Sequence, residues 1–413
     1  MVSPAGFDVS RVRAQYPALG DGRAWLDGAA GTQVPEPVIE AVAAAMRAGV
    51  ANQGGMFPAA RRADALVDAA RRAFAAFTGA PDPAGVVLGP TMSALTVRLA
   101  TALEQAWGPG DEIVVTEADH EANVAPWTRA AARTGATVRT ARLGADGGLP
   151  ADAVTSLIGP RTRLVALTAA SNLTGARVDV AAVTAAARAV GATSVVDGVH
   201  HAAYSAVDVR ALGADLYATS AHKWAGPHVA ALVAADPAVL DDIDPPRPAG
   251  APASGPARFE QGTNPFPALA GVAAAVAHWA GMADGDDPRA GQRAAAAHTA
   301  ALGARLWSAL GEQPHVRRYG PEGPEGAEGA AGSDAAVRTP IAAFRVAGRT
   351  PAQVVAALDA AGVNAWAGYA YAWGAAGALG VREDGGLVRL SPNHYSRAWE
   401  VDRALDVLAA LTP

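Results

Sequence analysis

The sequence predicts an α/β protein in which a large domain, built on a mixed but mostly parallel sheet, is followed by a smaller α+β domain. Three observations predict it. From about residue 79 to residue 233, short runs rich in Val, Ile and Leu alternate with alanine-rich stretches of helical length, the mark of strands joined by helical crossovers. Several of these runs end directly on polar residues, so polar groups gather beyond one edge of the sheet. Past residue 285 the alternation gives way to a mixture of helix and strand patterns.

In chain order, the expected strands are 85–88, 112–116, 137–141, 163–167, 193–196, 215–219 and 229–233. Open α/β sheets bind ligands outside the carboxyl ends of their strands. The residues in that position are Thr91, Asp119, His120, Asn172, Asp197, His200, Ser220, His222 and Lys223. A segment rich in Pro and Gly, 245–256, breaks the pattern, and a long helix is expected over 268–282. Residues 320–334, GPEGPEGAEGAAGSD, are low in complexity and read as a mobile surface loop. A strand pattern over 336–346, a helix over 351–361, a strand over 387–391 and a last helix over 396–411 make up the small domain. The expected division is an N-terminal segment, 1–25, packing with the small domain; a large domain, 26–285; and a small domain, 286–413.

Composition narrows the function. A chain of 413 residues exceeds what one core usually serves. Its 51% apolar and 17% charged residues are a globular balance. The formal charge of −6 comes without any basic run, which argues against nucleic acid or an anionic membrane as partner and favours a small molecule. No window has the apolar length of a membrane span, and the opening MVSPAGFDVSRVRAQYPAL lacks the charged-then-apolar pattern of a signal peptide, so a cytoplasmic location is expected. There is no cysteine, which excludes disulfides, thiolate metal sites, iron–sulfur ligation and a cysteine nucleophile. The nine histidines show no zinc spacing, since the adjacent His200 and His201 point in different directions. No metal is expected.

Ser220-Ala221-His222-Lys223 stands directly after an expected strand. Lysine is among the residues least often buried. Alone, it reads as a solvated loop lysine, but a Schiff base would give it a reason to sit at the ligand edge of the sheet. Asp197 ends the apolar run Ser194-Val195-Val196. Alone, it reads equally as a turn former or helix cap. Together the two suit pyridoxal 5′-phosphate (PLP), which stabilises carbanions while a carboxylate keeps its ring nitrogen protonated.

With these residues in view, Asp197-Gly198-Val199-His200 and Ser220-Ala221-His222-Lys223 resemble the cofactor motifs of the class V aminotransferase superfamily, specifically its cysteine-desulfurase-like branch. The opening Trp25-Leu26-Asp27-Gly28-Ala29-Ala30-Gly31-Thr32-Gln33 is similar to that superfamily's "YLD-x-AA-x-x-Q" entry motif, and the likeness runs from about residue 7 to residue 411. It implies the fold of PLP-dependent aspartate aminotransferases (fold type I) and a homodimer with active sites at the interface. It assigns His120, in Asp119-His120-Glu121-Ala122-Asn123, to the face of the pyridine ring; as a residue alone it reads as a helix cap. Asn172 matches the residue near the cofactor hydroxyl and the substrate carboxylate, and His200 faces the ring hydroxyl. Thr91 and the backbone of Met92 match the phosphate site, where a helix start favours an anion, as do Ser220 and His222. Thr263 matches a residue that reaches the phosphate held by the neighbouring subunit. Arg389, in Leu387-Val388-Arg389-Leu390-Ser391, matches the arginine that binds the substrate's α-carboxylate in fork geometry.

The likeness fails at one place. Desulfurases use a cysteine thiolate on a small-domain loop, and the matching stretch here runs from Asn364 to Trp373 without one. Its Trp366, Tyr369, Tyr371 and Trp373 either wall a substrate pocket or simply pack. The expected activity is therefore β-elimination from a cysteine-like amino acid (C–S lysis) with no persulfide on the protein. Epimerisation, transamination and carbon–carbon bond formation at Cα stand as alternatives. A reading of another class is a PLP-binding but catalytically silent partner protein.

Overall fold

Parallel strands covered by helices on both faces read as continuous apolar runs, and those runs form the central sheet of the structure, a computed structural model that describes residues 7–283, 285–322 and 337–411. In chain order the strands are β1 (Ala24–Trp25), β2 (Val86–Gly89), β3 (Glu112–Thr116), β4 (Thr137–Ala141), β5 (Thr162–Thr168), β6 (Thr193–Asp197), β7 (Leu216–Ser220), β8 (Ala230–Ala234), β9 (Val316–Tyr319), β10 (Ala342–Val346), β11 (Val363–Asn364), β12 (Trp366–Gly368) and β13 (Leu387–Leu390).

The large sheet has the order β2-β8-β7-β6-β5-β3-β4. Only β8 runs against its neighbours; the remaining pairings are parallel. Side chains alternate between two cores as the strand period requires. Val114, Val165, Leu167 and Val196 enter one, and Ile113, Val115, Leu164, Ala166 and Val195 enter the other. The edge strand β4 exposes Thr137 and Thr140. The helix Phe266–Ala280 packs on Glu36–Ala48 and Pro58–Thr78. It starts two residues earlier than expected because a proline in its first turn costs no hydrogen bond.

In the small domain, an antiparallel sheet of order β12-β13-β10-β9 shares a core with the helices Pro288–Gly311, Pro351–Ala360 and Ala398–Ala410, through Leu306, Phe344, Leu358, Val388 and Leu408. The N-terminal segment meets these elements: β1 pairs with β11 in parallel, and Arg13 donates to Glu400 at 3.0 Å. One boundary differs clearly from expectation. The strand pattern over 336–346 becomes a strand only from Ala342, because Pro340 has no N–H to give the ladder. Most of the low-complexity stretch over 320–334 lies outside the described residues. Among the described residues, no helix is long and apolar enough to cross a membrane.

Candidate active site

Five parallel strands deliver their carboxyl ends to one place. Thr91 and Met92 follow β2, His120 follows β3, Asn172 follows β5, Asp197 ends β6, and Ser220, His222 and Lys223 end or follow β7. With His200 they line a single cavity of about 220 Å³. Nine of the residues singled out in the sequence thus meet.

Local sequence explains several placements. Thr91 caps the helix Met92–Leu103, its Oγ1 accepting from Ala94 N–H at 3.0 Å, so the cavity faces a helix start whose free N–H groups favour an anion. Asp197 is followed by Gly198, where a Cβ would lie 1.8 Å from the Tyr217 ring. The glycine lets the chain turn over that ring, and the Tyr217 hydroxyl donates to the Gly198 carbonyl at 3.2 Å.

The site is electrostatically unusual. Lys223 Nζ donates to the carbonyls of Ala29 and Ala30, each at 2.8 Å. Burial, reinforced by the charge of Arg389 and opposed by Asp197, pushes its pKa down to about 7. Asp197 Oδ1 accepts from Val199 N–H at 2.9 Å, and burial pushes this carboxyl up to about 6 against the pull of that bond and of Lys223. His120 both caps and lines: its Nδ1 accepts from Ala122 N–H at 3.0 Å, and the ring faces the cavity. Burial, then Lys223 and Arg389, lower it to about 4, so at pH 7 the ring is neutral with its hydrogen on Nε2. His200 is pushed well below its usual range by burial and lies 4.9 Å from the Tyr204 ring. His222, lowered to about 3 by burial, stacks on His228 at 4.7 Å.

A second cavity of about 520 Å³ shares Ala29, His120, Asn172 and Lys223 with the first and adds Arg389, Trp366 of β12, and Tyr369 and Tyr371 of the loop that follows it. Trp373 is not on its wall; it lies under the Arg382 guanidinium at 4.1 Å. Arg389 Nη1 donates to the Asn172 carbonyl at 2.5 Å, and Asn172 Nδ2 donates to the Ala370 carbonyl at 2.7 Å. Asn172 Oδ1 and Arg389 Nε are buried without a partner, and buried polar atoms left so are costly unless a ligand completes them. Thr263 is exposed and lines neither cavity.

Some participants escaped the sequence reading. The Ala29 and Ala30 carbonyls that hold Lys223 are backbone groups, which leave no trace in side-chain chemistry. Asp119, by contrast, was expected at the ligand edge from its place after β3, and it lines neither cavity. Its carboxyl takes hydrogen bonds from Thr116 Oγ1 and Asn123 Nδ2, and burial pushes it up to about 8.

The model of the aminotransferase class-V family matches residues 24–404. The chain belongs to this family. It is 36% identical over 416 residues to the uncharacterized protein MT3887 of Mycobacterium tuberculosis, covering 98% of this chain and 99% of that one. It is 32% identical over 295 residues to a cysteine desulfurase of Klebsiella pneumoniae, covering 66% of this chain and 72% of the relative. Among solved structures, the cysteine desulfurase CsdA of Escherichia coli superposes with a TM-score of 0.84 at 29% identity, covering 98% of each chain.

As a class-V aminotransferase-family protein it is a PLP-dependent enzyme with the fold of that family. The first cavity fits the cofactor on its own terms. It offers a lysine amine with a depressed pKa, a buried carboxyl, a helix start for an anion, and an unpartnered Asn172 oxygen.

Proposed function

We propose that this protein is a C–S lyase that removes the sulfur substituent of a cysteine-type amino acid by β-elimination, without passing sulfur to a protein thiol. The observation that carries the reading is the complete absence of cysteine from a chain whose β12 and the loop after it border the site with Trp366, Tyr369 and Tyr371 instead. The relatives and solved structures named cysteine desulfurases support a sulfur amino acid as substrate.

PLP, when bound, supplies an electron sink for the pair left at the substrate's Cα. Lys223 would anchor it and, once the substrate's amine has taken its place, would be free as a neutral amine above about pH 7 to take the Cα proton. Asp197 holds the proton on the ring nitrogen. His120 presents a neutral aromatic face, and His200 and Asn172 stand by the ring hydroxyl. Thr91, the N–H of Met92, Ser220 and His222 hold the phosphate. The Arg389 fork takes the α-carboxylate, its Nε having no protein partner. The Cα–H and Cβ–S bonds break, the thiol leaves with a proton, and water converts the remainder to pyruvate and ammonium. No oxidant or reductant is consumed.

A homodimer belongs to the same reading. It is supported by the exposure of Thr263, which would reach a phosphate across the interface, and by the exposed apolar residues Ile39, Met46, Met56 and Phe57 on and beside one helix. A monomer in sedimentation that still holds full cofactor would contradict it.

Incubation of the cofactor-loaded protein with L-cysteine and S-substituted cysteines, without added reductant, tests the reaction. Pyruvate, ammonium and free thiol, with the protein's mass unchanged, support the lyase. Alanine with a sulfur adduct on the chain overturns it. Inversion at Cα, amino transfer to a keto acid, or a new carbon–carbon bond would assign the site to those reactions instead, and cofactor loading with no turnover would mark a silent partner protein.

A further inference from the structure

We infer that the second cavity receives a large, uncharged, aromatic substituent carried on the substrate's sulfur, so that the substrate class is S-arylalkyl or S-aryl cysteine conjugates rather than cysteine itself. This rests on the lyase reading and names the substrate class of the same site.

Size is the first argument. The cavity of about 520 Å³ adjoins the one that suits the cofactor. A thiol on a single methylene would leave almost all of it to water.

The wall is the second. Trp366, Tyr369 and Tyr371 supply aromatic faces, Ala367 and Ala370 add small apolar groups, and the basic groups on the wall are Lys223, which the reaction needs as a neutral amine, and Arg389, which the α-carboxylate occupies. Among the described residues no carboxylate lines it, so a cationic side chain would be left there without an ion-pair partner. An aromatic group would find offset or edge contacts.

Register supplies the third. β12 and β13 are antiparallel with Trp366 directly opposite Arg389, and opposed residues carry their side chains on the same face. A substrate whose α-carboxylate is held by Arg389 therefore extends its side chain past Trp366.

Backbone conformation is the fourth. Ala370 and Tyr371 both adopt left-handed φ, 49° and 59°, a conformation disfavoured for L-residues and kept where the surroundings enforce it. Three hydrogen bonds enforce it here: Asn172 Nδ2 to the Ala370 carbonyl at 2.7 Å, Glu121 N–H to the Tyr371 carbonyl at 2.9 Å, and Ala372 N–H to the Tyr369 carbonyl at 2.8 Å. The result is a Tyr371 ring that is 71% exposed yet 5.3 Å from the His120 ring, with Trp366 47% exposed at the same mouth. Held open, these rings form a receptor for a third ring.

The test compares L-cysteine, S-benzyl-L-cysteine and S-(2-aminoethyl)-L-cysteine on the cofactor-loaded protein. It also measures binding of L-homophenylalanine, which has the bulk but no leaving group, against L-alanine by the change in cofactor absorbance and by quenching of tryptophan fluorescence. The expected result is a kcat/KM for S-benzyl-L-cysteine at least about tenfold above cysteine, with the aminoethyl compound below both. Homophenylalanine should bind more tightly than alanine. Trp366→Ala should cut the benzyl-over-cysteine ratio roughly tenfold. Because Trp366 is half exposed, the variant should keep the parent melting temperature, and Trp366→Phe should restore most of the ratio.

Cysteine or the aminoethyl compound preferred over the benzyl compound overturns the inference, even if pyruvate forms and the lyase reading stands. Homophenylalanine bound tightly with no elimination from any thioether keeps the aromatic receptor and sinks the lyase. Homophenylalanine binding no better than alanine, or an unchanged ratio in Trp366→Ala, overturns the receptor.

Discussion

Arg389 donates from Nη1 to the backbone carbonyl of Asn172 across 2.5 Å, which fastens a strand of the small domain to the carboxyl end of β5. The bond orients the guanidinium, while its buried Nε stays unpartnered. Arg389→Ala should therefore lower kcat/KM for carboxylate-bearing substrates by about 100-fold, the scale for losing one side of a buried charged pair. Cofactor loading, followed by absorbance titration, should fall far less. Parallel loss of both would make Arg389 a structural residue only. Arg389→Lys should rescue little, because a point charge does not reproduce a planar fork.

The depressed pKa of Lys223 sets a pH dependence. A free lysine is mostly protonated up to about pH 10, but burial brings Lys223 to about 7. The reactive form is the neutral amine, so raising pH through 7 populates it, to ~90% one unit above. The rate at which apoprotein captures PLP should rise between pH 6 and 8 and then level off, measured by stopped-flow absorbance. A rate still climbing tenfold per unit at pH 9 would place the lysine in water.

Asp197→Asn keeps the shape of the side chain and removes its charge. The acceptor for Val199 N–H survives, so the fold and melting temperature should hardly change. Turnover should fall by roughly 100-fold or more, because a neutral amide cannot hold the ring-nitrogen proton. Turnover within a few-fold of the parent would remove Asp197 from the mechanism.

Gly198→Ala is a stability test of the same turn. The added Cβ would meet the Tyr217 ring at 1.8 Å, an overpacking that costs about 1–3 kcal/mol. The melting temperature should drop and cofactor retention with it. In Tyr217→Ala, the same Gly198→Ala change should cost much less, since its collision partner is gone.

The chain's legibility follows from physics. All seven strands of the large sheet were readable to within a residue or so, because strands buried on both faces must be apolar throughout, as Ile113-Val114-Val115 is. The direction of β8 was not readable, since Ala230-Ala231-Leu232-Val233-Ala234 looks the same paired either way. β1 and β11, two residues each, carry no period to detect. Eight of the cavity residues could be placed because each ends or follows a parallel strand, where topology alone directs it to the ligand edge; Met92 was placed by the resemblance, and Asp119, expected there on the same ground, lines neither cavity. Arg389 and the aromatic loop reach that edge from a different sheet, and only the folded chain brings them there. The left-handed pair at Ala370 and Tyr371 had no glycine to announce it.

The account centres on Lys223 as the anchor of the cofactor. The direct test is borohydride reduction of the PLP-loaded protein, followed by proteolysis and mass mapping of the modified peptide. A single pyridoxyl adduct on Lys223, lost in Lys223→Ala together with the visible absorbance of the bound cofactor, is the predicted result. An adduct on another amine, or undiminished cofactor absorbance in Lys223→Ala, would contradict it.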